Sequence, residues 1–249
     1  MFTRRSAIAA GMTAAVAPLA GTPAQAALPL VKPARLKAGD TVGLVAPAGF
    51  VADRFGLDDL KATMRAMGLV PKAAAHVLDR NGYLAGDDKA RAADINAMFA
   101  DPEVRAIIAV RGGWGSARML PYLDFDVIRA NPKLLVGSSD VTSLHMALAA
   151  RGNCPSIHGP NVAHSWSATT LDSFKALVFD TGTPTYRNPV GAEDRLLQRS
   201  WRTRALRGGK ASGRLLGGNL SVLATMVGTP WLPDFTGAIL FLEDTNEAE

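Results

Sequence analysis

The stretch LLVGSSDVTSLHMAL, residues 134–148, sets a serine where a serine can act as a nucleophile. An apolar run turns through Gly137, Ser138, Ser139 and Asp140 straight into a helical pattern. A tight strand–turn–helix junction of this kind projects a hydroxyl at the carboxyl edge of a sheet. The next backbone N–H can then point at a developing oxyanion. The stretch lacks the second glycine of G-x-S-x-G, and taken alone it reads more simply as a helix start capped by Ser139 or Asp140. A second strand end, VRGGWGSARML from Val110, carries the pair Gly112 and Gly113. Two glycines let a backbone approach a ligand closely. The pattern is neither G-x-G-x-x-G nor a P-loop. It can supply another oxyanion donor, or be a plain turn in which Arg111 is a surface charge and Trp114 a packing aromatic.

A serine hydroxyl is a poor nucleophile without a base. The histidines are His76, His145, His158 and His164. His76 falls in a weak early strand, His145 lies inside the helix after Ser139, and His158 follows a strand and could approach the site. None is spaced so that a base role follows. No His-x-x-x-His or Cys–His cluster points to a metal, and no cofactor is implied. Glu243 and Asp244 end the apolar run Ile239–Leu242 and could orient a histidine.

The elements that must hold these residues alternate. Thr41–Gly49 reads as a buried strand feeding a loop. Asp53–Gly68 has helical spacing with Gly68 as terminator. Residues 69–77 read as a weak strand, Asp87–Asp101 as a helix and Val104–Val110 as a strand. A short helix stopped by Pro132, a strand Lys133–Gly137 and a helix Val141–Ala150 ended by Gly152 complete the run. Alternation of strand and helix predicts βαβ units in a parallel sheet, with ligands beyond the strands' carboxyl ends. The pattern weakens from His164 to Lys210, where arginine, proline and glycine predict a solvated connection; a basic approach to an anionic substrate is the weaker reading. Beyond it, Leu220, Leu223 and Val227 predict one face of a helix, and Ile239–Leu242 a buried final strand.

Composition is that of a globular protein: 249 residues, 48% hydrophobic and 20% charged. Residues 1–26 have a charged start at Arg4 and Arg5, an Ala-rich apolar middle and an Ala24-Gln25-Ala26 end. This predicts a twin-arginine export signal cleaved near Ala26 and a periplasmic protein with no stable membrane insertion. Its loss takes the net charge from +5 to +3, because it removes two arginines and no acid. That is too mild for a nucleic-acid partner. The lone Cys154 has no internal disulfide partner.

Taken together, GLVAPAG, RGGWGSARMLPYLDFDVIRANPKLLVGSSDVTSLHMAL, HGPNV, GRLLGGNLSVLATMVGTPWLP and ILFLEDTNE resemble the LD-carboxypeptidase family, from about Val42 to Glu247. These serine peptidases trim the terminal D-Ala of murein tetrapeptides, and the family includes microcin C immunity peptidases. The resemblance implies an α/β fold: a doubly wound, flavodoxin-like domain over residues 37–160, a connection over 161–210, and the start of a smaller β-rich, incomplete C-terminal domain over 211–249. It implies Ser139 as nucleophile, Glu243 as the triad acid, and Gly112, Gly113 and the N–H of Asp140 as oxyanion donors. Arg111, Trp114 and Asn219 are the implied substrate contacts, Arg111 because its fork suits a carboxylate. Ser138 departs from the family's aromatic residue before the nucleophile. The triad histidine of the family lies beyond the position of Glu249, so the 249-residue chain alone is expected to be inactive. A murein peptide is the expected partner, with room for a homodimer. A non-catalytic murein-binding pseudoenzyme and a peptidase for a peptidyl-nucleotide antibiotic are the alternatives.

Overall fold

The computed structural model describes residues 30–164, 166–180, 182–186 and 205–245. The export-signal reading of residues 1–26 lies outside them, as does most of the arginine-rich part of the connection. Seven strands are described: β1 (Thr41–Val45), β2 (Val70–Ala73), β3 (Val104–Ala109), β4 (Leu134–Gly137), β5 (Ile157–His158), β6 (Leu215–Asn219) and β7 (Ile239–Glu243). The helices are α1 (Arg54–Ala66), α2 (Asp88–Ala100), α3 (Phe125–Ala130), α4 (Thr142–Ala147), α5 (Ala168–Val178) and α6 (Leu220–Met226). No described helix is long and apolar enough to cross a membrane.

Strands β1 to β5 form one parallel sheet in the order β2-β1-β3-β4-β5. The order reverses between β1 and β3, which opens a crevice at their carboxyl ends. Both sheet faces are covered, so the central strands carry consecutive buried apolar residues, Ala106–Ala109 in β3 and Leu134–Val136 in β4, rather than alternate ones. Ile107 points into a cluster with Met98, Phe99, Leu135 and Leu144. Its neighbour Ile108 points into the opposite cluster, with Leu44, Leu57, Met64 and Phe174. Helices α2, α3, α4 and α6 cover the first face, and α1 and α5 the second. Strands β6 and β7 form a separate parallel pair linked through α6. The architecture is therefore α/β, a doubly wound sheet with a small second sheet.

Local chemistry sets the helix starts. Asp53, Asp87, Asp124, Ser167 and Asn219 each accept a backbone N–H in the first turn of α1, α2, α3, α5 and α6. This satisfies donors that have no intrahelical acceptor. Gly68 follows α1 with φ +79° and donates to Arg65 O at 2.9 Å, the expected left-handed terminator.

Four expectations need correction. Residues 168–178, placed in a solvated connection, form α5, which buries Phe174 and Val178 against the first sheet. The buried face of α6 is Val222, Leu223 and Met226, because the helix has ended before Val227, whose ψ of 131° is extended. The helix after Asp140 is not uniform: a 3-10 turn Ser139–Val141 leads into α4, and a π turn Leu148–Gly152 follows. The left-handed residue there is Asn153 rather than Gly152. Strand β7 forms where expected and pairs with β6, but it is not buried, since Ile239, Leu240, Phe241 and Leu242 are all exposed.

One core group is ionisable. His145 of α4 is buried; its Nε2–H donates to Gly137 O at 2.9 Å, and its Nδ1 accepts from Ser156 Oγ at 2.8 Å. Burial pushes its pKa down to about 4. Above pH 6.5 the ring is neutral in both folded and unfolded chains and contributes no pH dependence. Below it the unfolded chain takes up a proton that the folded chain refuses, so stability falls as pH drops towards 4, by up to roughly 3 kcal/mol. Urea unfolding of the natural chain and of His145→Gln across pH 7 to 4 should show a smaller acid loss in the variant.

Candidate active site

The crevice at the switch point is built from three strand ends: the loop after β1, the loop after β3, and the turn after β4. Ser139 stands on the last of these with φ +61°, left-handed backbone in a non-glycine residue. Such a conformation costs on the order of 1–3 kcal/mol and persists only when its surroundings enforce it. The enforcement is visible. Gly137 enters the turn with no room for a side chain; a Cβ there would stand 2.9 Å from Val141 Cγ1 and 3.0 Å from Ala109 Cβ. Ser138 is held from both sides by the buried amide of Asn161, whose Oδ1 accepts Ser138 N at 3.1 Å and whose Nδ2 donates to Ser138 Oγ at 3.2 Å. The Ser138 hydroxyl thus helps to fasten the elbow.

The capping alternative for this turn does not hold. Neither the 3-10 turn nor α4 has a side-chain cap. The carboxylate of Asp140 is buried and accepts Ser116 N at 2.8 Å, tying the β3 loop to the elbow. Burial holds its pKa above the ordinary carboxylate value. Ser116 Oγ also donates to Asp140 O, and lies 2.6 Å from Ser143 Oγ.

Gly112 and Gly113 come up against this elbow. A Cβ on Gly112 would lie 3.0 Å from Ser139 Cβ and 3.3 Å from its Oγ. Gly113 has φ +141°, and a Cβ on it would meet Gly49 N at 2.9 Å. Gly49 N in turn donates to Gly112 O at 3.2 Å. Arg111, Gly112, Gly113, Ser139, Ala163 and His164 line one cavity of about 440 Å³. Trp114 is 59% exposed and outside that lining. Sequence reasoning left His164 without a role; its position beside Ser139 depends on the turn after β5, which no local pattern announces.

The second sheet docks beside α4. Asn219 N donates to Thr142 Oγ1 at 2.9 Å, and Gly218 packs on the Thr142 side chain so closely that it has no room for a Cβ. Asn219 Oδ1 caps α6, and its Nδ2 reaches Asp244 Oδ1 at 3.2 Å. The two acids at the end of β7 divide their work. Asp244 also accepts Ser221 N and Ser221 Oγ, and these hydrogen bonds, that of Ser221 Oγ foremost, hold its pKa below the ordinary range. Glu243 is left free of these bonds, and its Oε1 lies 3.5 Å from His158 Nε2. His158 Nδ1 and Glu243 Oε1 are buried without a hydrogen-bond partner. Burial lowers the His158 pKa. His158 lines a different cavity, with His145, Cys154, Gly217 and Phe241. Ser139 Oγ has no hydrogen-bonded base among the described residues. The remaining histidine, His76, bonds Asp94 Oδ1 at 2.8 Å, which raises its pKa. No cluster able to hold a metal ion occurs among the described residues.

Replacing Asn161 tests the elbow's support. Asn161→Ala leaves the Ser138 N–H without its acceptor in a packed site and should cost about 1–3 kcal/mol. Chemical denaturation of the variant and the natural chain measures this.

Residues 42–159 match the model of the LD-carboxypeptidase N-terminal domain, and residues 212–249 that of the C-terminal domain. A probable murein peptide carboxypeptidase of Bacillus subtilis is 37% identical over 221 residues, covering 87% of this chain and 66% of that protein. A putative carboxypeptidase of Streptomyces coelicolor is 39% identical over 229 residues, covering 88% and 69%. The chain thus spans about two thirds of the length of both relatives. Among solved structures, the microcin C7 self-immunity protein MccF in its wild-type apo state superposes with a TM-score of 0.72 at 25% identity, over 87% of this chain and 72% of that one. By sequence and by fold, the chain belongs to the LD-carboxypeptidase family of serine-type peptidases.

Proposed function

We propose that the protein is an exported L,D-carboxypeptidase that removes the terminal D-Ala from murein tetrapeptides. The observation that carries this reading is the left-handed Ser139, pressed against Gly112 and facing the same cavity as Gly113. Ser139 Oγ attacks the carbonyl of the L-centre of the residue bonded to D-Ala. A base takes its proton and returns it to the leaving amine. The tetrahedral oxyanion lies against backbone N–H groups of the Gly112–Gly113 turn and of Asp140. The N–H of Asp140 is in the first turn of a helix and has no intrahelical acceptor. Water then releases the acyl-enzyme. Glu243 orients the base through its ring N–H, as the acid of a Ser-His-Glu triad does.

The murein substrate is supported by the Bacillus subtilis relative, described as a probable murein peptide carboxypeptidase. The Ala24-Gln25-Ala26 site and paired arginines support a periplasmic location, where murein is met. The microcin immunity likeness supports a peptidyl-nucleotide substrate as the second reading.

Release of D-Ala from purified murein tetrapeptide, with a peptidyl-nucleotide amide in parallel, tests the assignment. The protein should release D-Ala, and Ser139→Ala should lower the rate by about 10³-fold or more, since triad members act as a unit. Ser139 should be the residue labelled by a fluorophosphonate. Preference for the nucleotide substrate would replace the murein reading. Tight muropeptide binding with neither turnover nor labelling would show a pseudoenzyme.

A further inference from the structure

A carboxypeptidase must recognise a free carboxylate close to the bond it cuts. Standard backbone dimensions put the carbon of that terminal carboxylate within about 4 Å of the scissile carbonyl carbon. Whatever receives it must therefore line the cavity that holds Ser139. That cavity offers two side chains able to donate to an anion, Arg111 and His164, and no carboxylate among its lining residues. Neither of the two forms an ion pair among the described residues. Two unneutralised donors around a serine make the cavity a receptor for an anionic group.

Both are placed by the backbone rather than left on loop tips. Arg111 Nη1 donates to Phe50 O at 3.3 Å, which fixes one arm of the guanidinium on the β1 loop and leaves the rest of the fork open. His164 closes a turn that is stitched along the end of β3. Val162 N donates to Ala109 O at 3.0 Å, Ala163 N to Val110 O at 2.9 Å, and His164 N to Asn161 O at 3.1 Å. The same turn supplies Asn161 to Ser138. One short segment, Gly159–Ala163, and the residue after it therefore support the elbow and line part of the cavity.

We propose that His164 is a specificity-determining residue which, with Arg111, receives the free carboxylate of the substrate's terminal residue. The proposal rests on the carboxypeptidase reading and adds the carboxylate receptor to it. A neutral imidazole already donates one N–H, so the role does not depend on protonation. Arg111 supplies charge and planar donors; His164 supplies a second, directional donor from the turn after β5. A terminal amide in place of the carboxylate forfeits the charge and turns one acceptor into a donor facing donors.

The test is equilibrium binding to the full chain carrying Ser139→Ala, which prevents turnover. The probes are murein tetrapeptide and its C-terminal amide, and diacetyl-L-Lys-D-Ala and its amide. A charge-assisted hydrogen bond lost to the amide should make each acid bind about 10-fold or more tighter than its amide. Adding His164→Leu should shrink that ratio to about 3-fold or less by weakening the acids alone, and His164→Lys should restore much of it. An unchanged ratio, or equal loss for acid and amide, overturns the proposal. So does an acid–amide ratio near one before His164 is changed, or no binding of any probe. Discrimination within the dipeptide pair, with no tighter binding of the tetrapeptide, leaves the receptor standing and removes the murein reading. In the chain retaining Ser139, fluorophosphonate labelling of His164→Leu separates a receptor from a base, because that probe has no carboxylate to receive. Abolished labelling would make His164 the base instead and overturn the proposal.

Discussion

The left-handed backbone of Ser139 is the constraint to which the rest of the crevice answers. It throws the hydroxyl clear of the sheet edge, and nothing in a serine side chain favours it. The conformation is held by what surrounds it: a glycine before it with no space for a Cβ, an asparagine amide bracketing Ser138, and Gly112 against the serine itself. Each support comes from a different strand end. The elbow is consequently a property of the whole doubly wound sheet, in which β3 and β4 are adjacent and β5 follows.

A buried arginine performs the same service one layer out. Arg91 of α2 donates to Pro47 O on the β1 loop and to Gly115 O on the β3 loop, while Asp88 of the same helix pairs with its guanidinium. A charge this buried is retained only when it is paired and hydrogen-bonded. The fork geometry of arginine lets one side chain satisfy two loop carbonyls and a carboxylate together. Asp88 also receives Arg118 at 3.0 Å, from the 3-10 turn that follows Gly115. The β1 and β3 loops are therefore pinned by a helix that also buries Ile95, Met98 and Phe99 in the core.

Much of this was legible in the amino-acid order. The strands β1, β3 and β4 announce themselves as apolar runs ending in glycine, and two of those ends carry the unusual residues. Ser139, Gly112 and Gly113 could be singled out because close backbone approach and a tight turn leave a local signature. What lacked a signature was anything fixed by contacts distant in sequence. Helix α5 was hidden by the arginine-, proline- and glycine-rich stretch that follows it, although Ser167 followed by Phe174 and Val178 at helical spacing marked it. Asn161 is placed by hydrogen bonds to Ser138, 23 residues away, and His164 by a turn whose Val162 and Ala163 bond the distant end of β3. The exposed apolar strand β7 shows the limit of reading burial from hydropathy: an apolar run specifies pairing, and what covers it is decided elsewhere.

The pairing of Glu243 with His158 separates two questions that sequence order had merged. A carboxylate and an imidazole 3.5 Å apart invite a triad, but position decides which serine such a pair could serve. His158 is opposite Gly137 in the β4–β5 register, and its ring lies near His145 and Phe241, in a cavity that Ser139 does not line. Burial also favours its neutral form. The pair thus joins the second sheet to the first at the level of the elbow, with Asp244 bolted to α6 beside it. Two consecutive acids so placed hold β7 in register with the active-site turn: Asp244 by satisfied hydrogen bonds, Glu243 by a contact whose acceptor oxygen is still unfilled.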